Sequence, residues 1–276
     1  MDAASLAARV EQIVQRLPAR WRAEEARTRV QQLVEDLLEA RELPTLTVNM
    51  MLKRTADNDP FFAEIVRRFY DEARRPHPKL PLIRSLEWGV SLCILPRSFD
   101  AYFMTIEGAA RRNFKKAQRG ACRFSRIEMN DHLAAIGEIR RSTDTRQGQM
   151  PEDLLMGEVP RCTDPPTKTN VHDYPYFGVF QEDRLVAYAC CLVAGEVCVL
   201  EHIFGHAAHL TEGVVPMMFI GIAEHIYKSY PNVRYYVYGT YFGALPKMRR
   251  FKKKFCFFPH RVDWRLDVRE TAQRSG

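Results

Sequence analysis

The chain has 276 residues, 46% hydrophobic and 27% charged, and its 41 Lys and Arg against 34 Asp and Glu leave a formal net charge of +7. These values exclude a low-complexity or disordered chain and fit one large globular domain or two small ones. The basic balance favours phosphate-bearing partners, with a phosphorylated cofactor, tRNA and plain solvation all open.

From the N-terminus, residues 4–17 predict an amphipathic helix that carries acidic residues, unlike a signal peptide, and Pro18 stops it. A second helix is predicted over 21–41, with Val30, Leu33, Val34, Leu37 and Leu38 on one face. Asp59-Pro60 reads as a cap followed by a proline a first turn tolerates, and Phe61, Phe62, Ile65, Val66, Phe69 and Tyr70 mark the buried face of a third helix. Residues 1–80 are therefore expected to be a helical region, and the proline-rich stretch 75–81 a linker. A second unit is expected over 86–270.

The pattern then changes. Trp88–Leu95 predicts a strand, and Ser98 caps one helix running to about Arg119. The outer face of that helix carries Arg111, Arg112, Lys115, Lys116 and Arg119, either a phosphate-tracking stripe or an ordinary solvated face. A strand at Cys122–Met129, a helix at Asp131–Arg141 and a helical turn at Pro151–Met156 follow. Strands at Tyr176–Gln181, Leu185–Val193 and Glu196–Phe204 are joined by turns short enough for antiparallel hairpins. Thr211 is expected to cap a long apolar helix to about Tyr230. A strand at Val233–Tyr238, a basic helix and a strand at Arg261–Leu266 close the chain.

The longest apolar run, Val214–Ala223, is interrupted by Pro216 and Gly221 and is too short to span a membrane. The seven cysteines form no C-x-x-C pair and mostly lie in apolar runs, which predicts reduced, buried thiols. A soluble, cytoplasmic protein without a membrane partner is the expectation.

The stretch 235–261 reads YYVYGTYFGALPKMRRFKKKFCFFPHR and places six cations (Lys247, Arg249, Arg250, Lys252, Lys253, Lys254) within eight positions. Leu245, Met248, Phe251 and Phe255 follow helical spacing, so one face is expected to pack and the others to be cationic, a seat for a phosphorylated donor. The strand and helix order from Cys122 onward resembles the GNAT acyltransferase fold. The ending Phe251-Lys252-Lys253-Lys254-Phe255-Cys256-Phe257-Phe258-Pro259 is similar to the fK-x-x-F-G-F-x-P ending of GNAT-like and Fem-type aminoacyl-transferase relatives. Cys256 stands where the family has glycine. The segment Tyr102 to Gly120 resembles the basic stretch such relatives carry before the core. The resemblance covers about residues 86–267. It implies an α/β (α+β) fold with a mixed, mainly antiparallel sheet flanked by helices, beside an N-terminal helical region.

It also implies roles for particular residues. A carboxylate on the fourth strand of such sites accepts the amine's proton, and Glu201 matches that position; its plainer reading is a strand-end carboxylate paired with a cation. Tyr238 and Tyr241, where the fifth strand should splay, are candidates to protonate the leaving group, against simple aromatic packing. The donor is expected at Thr211, Gly213 and Val214, at the start of the long helix, and at Lys247, Arg250 and Lys253. Only Gly213 survives of the usual (Arg/Gln)-x-x-Gly-x-(Gly/Ala) pyrophosphate loop, and Glu212 brings a negative charge. That departure shifts weight toward Fem-type relatives, which lack the loop. For the acceptor, Asp144 is a candidate to hold an amine, Arg146 a carboxylate, and His202 to line the pocket, with a plain polar loop as the alternative for 142–147. His202, His206 and His209 complete no ligand shell, so no metal site is expected.

The leading expectation is an N-acyltransferase that moves an acyl group from acyl-CoA to a small-molecule amine, with no tightly bound cofactor. The alternatives are a Fem-like transferase using aminoacyl-tRNA, and a catalytically silent GNAT-like binding module. The N-terminal helices are open to three roles: capping the core, closing the acceptor pocket, or forming a homodimer.

Overall fold

The computed structural model describes residues 42–268 apart from 56–59, 78–79, 85, 147–149, 164–167 and 243. The two helices expected over 4–17 and 21–41 lie outside the described residues. In chain order the elements are β1 (Thr45–Asn49), α1 (Pro60–Ala73), β2 (Pro76–His77), β3 (Leu80–Arg84), β4 (Val90–Ile94), α2 (Phe99–Thr105) and α3 (Gly108–Arg119). There follow β5 (Cys122–Ile127), α4 (Leu133–Arg141), α5 (Glu152–Met156), β6 (His172–Asp173), β7 (Tyr176–Gln181), β8 (Arg184–Ala194) and β9 (Val197–Gly205). The last are α6 (Val214–Ser229), β10 (Tyr235–Thr240), α7 (Pro246–Lys254) and β11 (Phe258–Arg265).

One sheet organises the molecule, in the order β1-β11-β4-β10-β9-β8-β7-β5, with β6 added beside β8. Two pairs, β1/β11 and β9/β10, are parallel and the others antiparallel. This is the mixed, mainly antiparallel sheet flanked by helices that the GNAT resemblance implies. The central strand β8 is buried on both faces, which its unbroken apolar run Leu185–Ala194 requires. Alternate residues feed opposite cores. Ala189, Cys191 and Val193 join the core formed with α2, α3 and α6, while Leu192 and Ala194 join the one under α1. Ile136 and Ile139 of α4 pack with Leu185 and Tyr188 farther along. The sheet is thus sandwiched between helices.

Three expectations need correction. Region 1–80 is not purely helical: Thr45–Asn49 is a strand paired in parallel with β11. The Asn49 amide also donates to Glu196 Oε2 at 2.9 Å, and the Glu196 amide to the Asn49 carbonyl at 2.9 Å. The supposed linker at 75–81 begins a short hairpin, β2–β3. Finally, the single helix expected from Ser98 to Arg119 is two helices. Ser98 caps the first through the Ala101 amide at 3.2 Å, but Ile106 turns to extended backbone (φ −64°, ψ 142°) and the Glu107 amide donates to the Lys254 carbonyl at 3.0 Å. A tertiary hydrogen bond to the end of α7 therefore interrupts the helix.

Candidate active site

Two adjacent strands separate in the middle of the sheet. β9 and β10 pair from Val197/Tyr235 to Val199/Val237 and no farther. Beyond that point each strand carries a bulge. In β9, Cys190 faces His202 while Cys191 faces Leu200, so Glu201 is the extra residue. In β10, Val237 faces Leu92 and Thr240 faces Val90, so Tyr238 and Gly239 together oppose Ser91. Gly239 takes φ +56°, a left-handed conformation its missing Cβ makes easy. Bulges re-aim side chains, and these two do so on either side of the gap.

On the α1 face, Glu201 accepts a hydrogen bond from the Tyr174 hydroxyl. Burial, with smaller contributions from Cys190 and Glu201, pushes the Tyr174 pKa upward, so the phenol stays protonated and remains a donor. Asp173 holds the Tyr174 backbone: its Oδ1 accepts the Tyr174 amide at 2.7 Å. Asp173 is itself buried and takes a bidentate pair from Arg126, at 2.7 and 2.9 Å, and the Tyr230 hydroxyl at 2.8 Å. Such a satisfied charge fixes geometry. A cleft of about 530 Å³ opens here, with Glu201, Tyr174 and His202 on the sheet side and Arg68 and Glu72 of α1 across it.

On the other face of the sheet, Lys252 of α7 reaches the bulge of β10. Its Nζ donates to the Tyr238 carbonyl at 2.7 Å and the Thr240 carbonyl at 2.6 Å, and lies 4.7 Å from the Tyr238 ring centroid. The residue is 4% exposed. Burial, with a smaller contribution from the Arg249 charge, lowers its pKa from 10.5 to about 7. A buried lysine poised near neutrality beside a strand gap marks a functional-site candidate. It was counted among the outward cations of the basic helix, yet the signal was present. Lys252 follows Met248 by four residues and precedes Phe255 by three, which puts it on the packed face.

The other expected residues divide. His202 lines the cleft, its ring stacked on Phe204. Tyr238 packs its ring on Phe219 and Phe257, on the Lys252 side. Tyr241 is buried with Phe242, Leu43 and Trp88, in a cluster separate from those of Tyr238 and Val199, and the Arg249 and Lys253 head groups lie over its ring. Lys247, Arg250 and Lys253 are exposed on the outer face of α7. Asp144 is exposed and accepts from the neighbouring Thr145 hydroxyl at 3.1 Å. Arg146 is committed elsewhere: it donates to the Gly205 carbonyl at 2.9 Å and the Ile139 carbonyl at 2.7 Å, stapling its loop to the end of β9. Nε of the same guanidinium has no hydrogen-bond partner among the described residues.

The start of α6 also differs from expectation. Thr211 falls in a 3-10 turn and the helix begins at Val214, capped by Gly213 at φ +86°. Gly213 and Val214 are buried against α3: a Cβ at Gly213 would stand 2.2 Å from the Asn113 carbonyl oxygen. Lys116 of α3 donates to the Thr211 carbonyl at 2.9 Å, and Glu212 pairs with His209 at 3.0 Å. The helix N-terminus expected to cradle a pyrophosphate is therefore covered by α3 and flanked by a carboxylate. Gly213→Ala is accordingly expected to cost about 1–3 kcal/mol through strain and the clash with α3, read as a lowered denaturation midpoint. An unchanged midpoint would mean that α3 does not press on this turn.

The split sheet with its flanking helices has the arrangement that the GNAT resemblance implies. No protein-family profile and no curated protein matches the chain. Among solved structures, FemX is similar at 10% identity with a TM-score of 0.47, over 62% of this chain and 59% of that one. The C-terminal domain of a proposed lysylphosphatidylglycerol synthetase from Agrobacterium fabrum is similar at 14% identity with a TM-score of 0.41, over 62% and 57%. A tandem GNAT protein from the clavulanic acid biosynthesis pathway is similar at 9% identity with a TM-score of 0.40, over 87% and 68%. The matched part of this chain spans less than two thirds of the first two structures.

Proposed function

We propose that the protein is an N-acyltransferase whose reaction centre is the gap between β9 and β10. The observation that carries this reading is the pair of facing bulges, with Glu201 on one side of the sheet and the buried Lys252 on the other. An amine enters from the cleft under α1 and gives up its proton to Glu201, directly or through water. Its nitrogen attacks the acyl carbonyl carbon, and the ester or thioester bond breaks. Two of the three N–H groups of the Lys252 ammonium are taken by carbonyls. The third is free to stabilise the oxyanion or to protonate the departing oxygen or sulfur.

The covered start of α6 favours a donor that is not held by a pyrophosphate loop. That observation supports the second reading, in which an aminoacyl ester of tRNA replaces acyl-CoA. The exposed cations Lys247, Arg250 and Lys253, with Arg112, Lys115 and Arg119 of α3, suit a long polyanion. Residues Glu107 and Lys254 join the two helices directly. The test is transfer of label to a panel of primary amines from acetyl-CoA, from longer acyl-CoAs and from a charged total tRNA pool. Amide product from charged tRNA, lost on raising salt or on reversing Lys247, Arg250 and Lys253 to Glu, is the expected result. Product from acyl-CoA alone would return the first reading. A folded sample that uses no donor would leave a silent binding module.

A further inference from the structure

The cleft under α1 has a composition that an amine alone does not explain. Ile65, Phe69 and Val199 give it an apolar floor, and Glu201 stands at the reacting end. Across from it, Arg68 and Glu72 sit four residues apart on α1 and line the same cleft. Both are exposed, while Ile65 and Phe69 beside them on the helix are buried, so the charged pair forms the rim. Among the described residues neither side chain makes an ion pair. A guanidinium with a planar fork of donors and no carboxylate in its grip is ready for a planar or tetrahedral anion from outside. The deeper carboxylate of Glu201 has one oxygen engaged by Tyr174, and the other makes no hydrogen bond among the described residues.

We propose that the acceptor is an amine that also bears an anionic group, a carboxylate or a phosphate, and that Arg68 is the residue that selects for it. The ammonium end lies toward Glu201 and the anionic end toward Arg68, with the apolar floor beneath the carbon chain between them. Glu72 keeps the rim from attracting simple anions that lack an amine. This rests on the reading of the cleft as the acceptor site, and it makes α1 a specificity element as well as a packing one.

The test is ligand-observed NMR titration of the full chain with two matched pairs, 6-aminohexanoate against 6-aminohexanamide and phosphoethanolamine against ethanolamine. The anionic member of at least one pair is expected to bind about tenfold more tightly, the discrimination that one charge-assisted contact supplies. Which pair discriminates tells carboxylate from phosphate. Arg68→Gln should erase that preference while leaving the neutral members unchanged, and Arg68→Lys should restore part of it. Equal binding within both pairs, no binding by any member, or a preference that survives Arg68→Gln would overturn the proposal. Arg68 is exposed, so these variants are expected to fold. If Arg68→Gln acts as described but Glu201→Gln leaves turnover intact, the catalytic reading fails and the acceptor preference stands.

Discussion

Glu201→Gln is expected to lower turnover by about 10²–10⁴-fold, the usual contribution of a positioned general base. The carboxylate is the one residue that the β9 bulge takes out of register, and that bulge lies where β9 leaves β10. The amide is close to isosteric, and its oxygen can still accept from Tyr174, so the melting temperature should barely move. Tyr174→Phe should act in the same direction but more weakly, because it removes the group that orients Glu201 and leaves the base in place. Tyr241→Phe serves as the control. Its ring belongs to a separate cluster with Phe242, and its loss of a hydroxyl should leave the rate unchanged. Initial rates at saturating amine decide the matter, and an undiminished rate in Glu201→Gln would remove the assignment.

The second large effect is expected at Lys252, in stability and rate together. Its pKa falls from 10.5 in the ordinary state to about 7 in the fold, first through burial. Between those values the unfolded chain holds a proton that the folded protein has released. Stability therefore rises with pH through this window, by up to about 1.4 kcal/mol per unit. Below about pH 7 both states are protonated and the full penalty of a buried ammonium is present. Lys252→Met should abolish this contribution, so the stability difference between native and variant should change with pH from 7 to 10. Other groups titrate in that range, but they cancel in the difference. The variant also removes the hydrogen bonds that Lys252 donates to the Tyr238 and Thr240 carbonyls, at a cost of about 1–3 kcal/mol each. Urea unfolding at several pH values measures the slope, and parallel curves would show that the amine is not the buried, neutral-prone group described. Turnover of the native protein should decline as pH rises through about 7, as Lys252 loses the proton it supplies to the leaving group.

Much of the fold was legible because its signals are local. The hairpin turns Glu182-Asp183 and Gly195-Glu196 separate apolar runs of the right length, and β7, β8 and β9 fall within a residue of their expected limits. β1 was missed because five residues with alternating Thr and apolar side chains are unremarkable alone. Its partner, β11, lies at the far end of the chain. The break between α2 and α3 left no trace either, since the bond that makes it comes from Lys254. Glu201 was a candidate only through resemblance, and nothing local announces its bulge. Arg146 reads as a free loop cation until β9 and α4 bring two carbonyls to it. Lys252 is the different case. Its helical spacing already put it inward, but five neighbouring cations made a solvated face the easier conclusion.

The position of β4 has a consequence for how the chain assembles. It precedes most of the sheet in the chain, yet it sits between β10 and β11, the last strands of the described residues, and hydrogen-bonds to both. Until they arrive, its apolar edges Val90, Leu92 and Cys93 have no lasting partner. Closure of the sheet is therefore a late, long-range event, the kind that slows folding because a large loop must be ordered before any contact rewards it. The same late step joins α7, and with it Lys252, to the gap, so the chemistry becomes available only when the last strand docks.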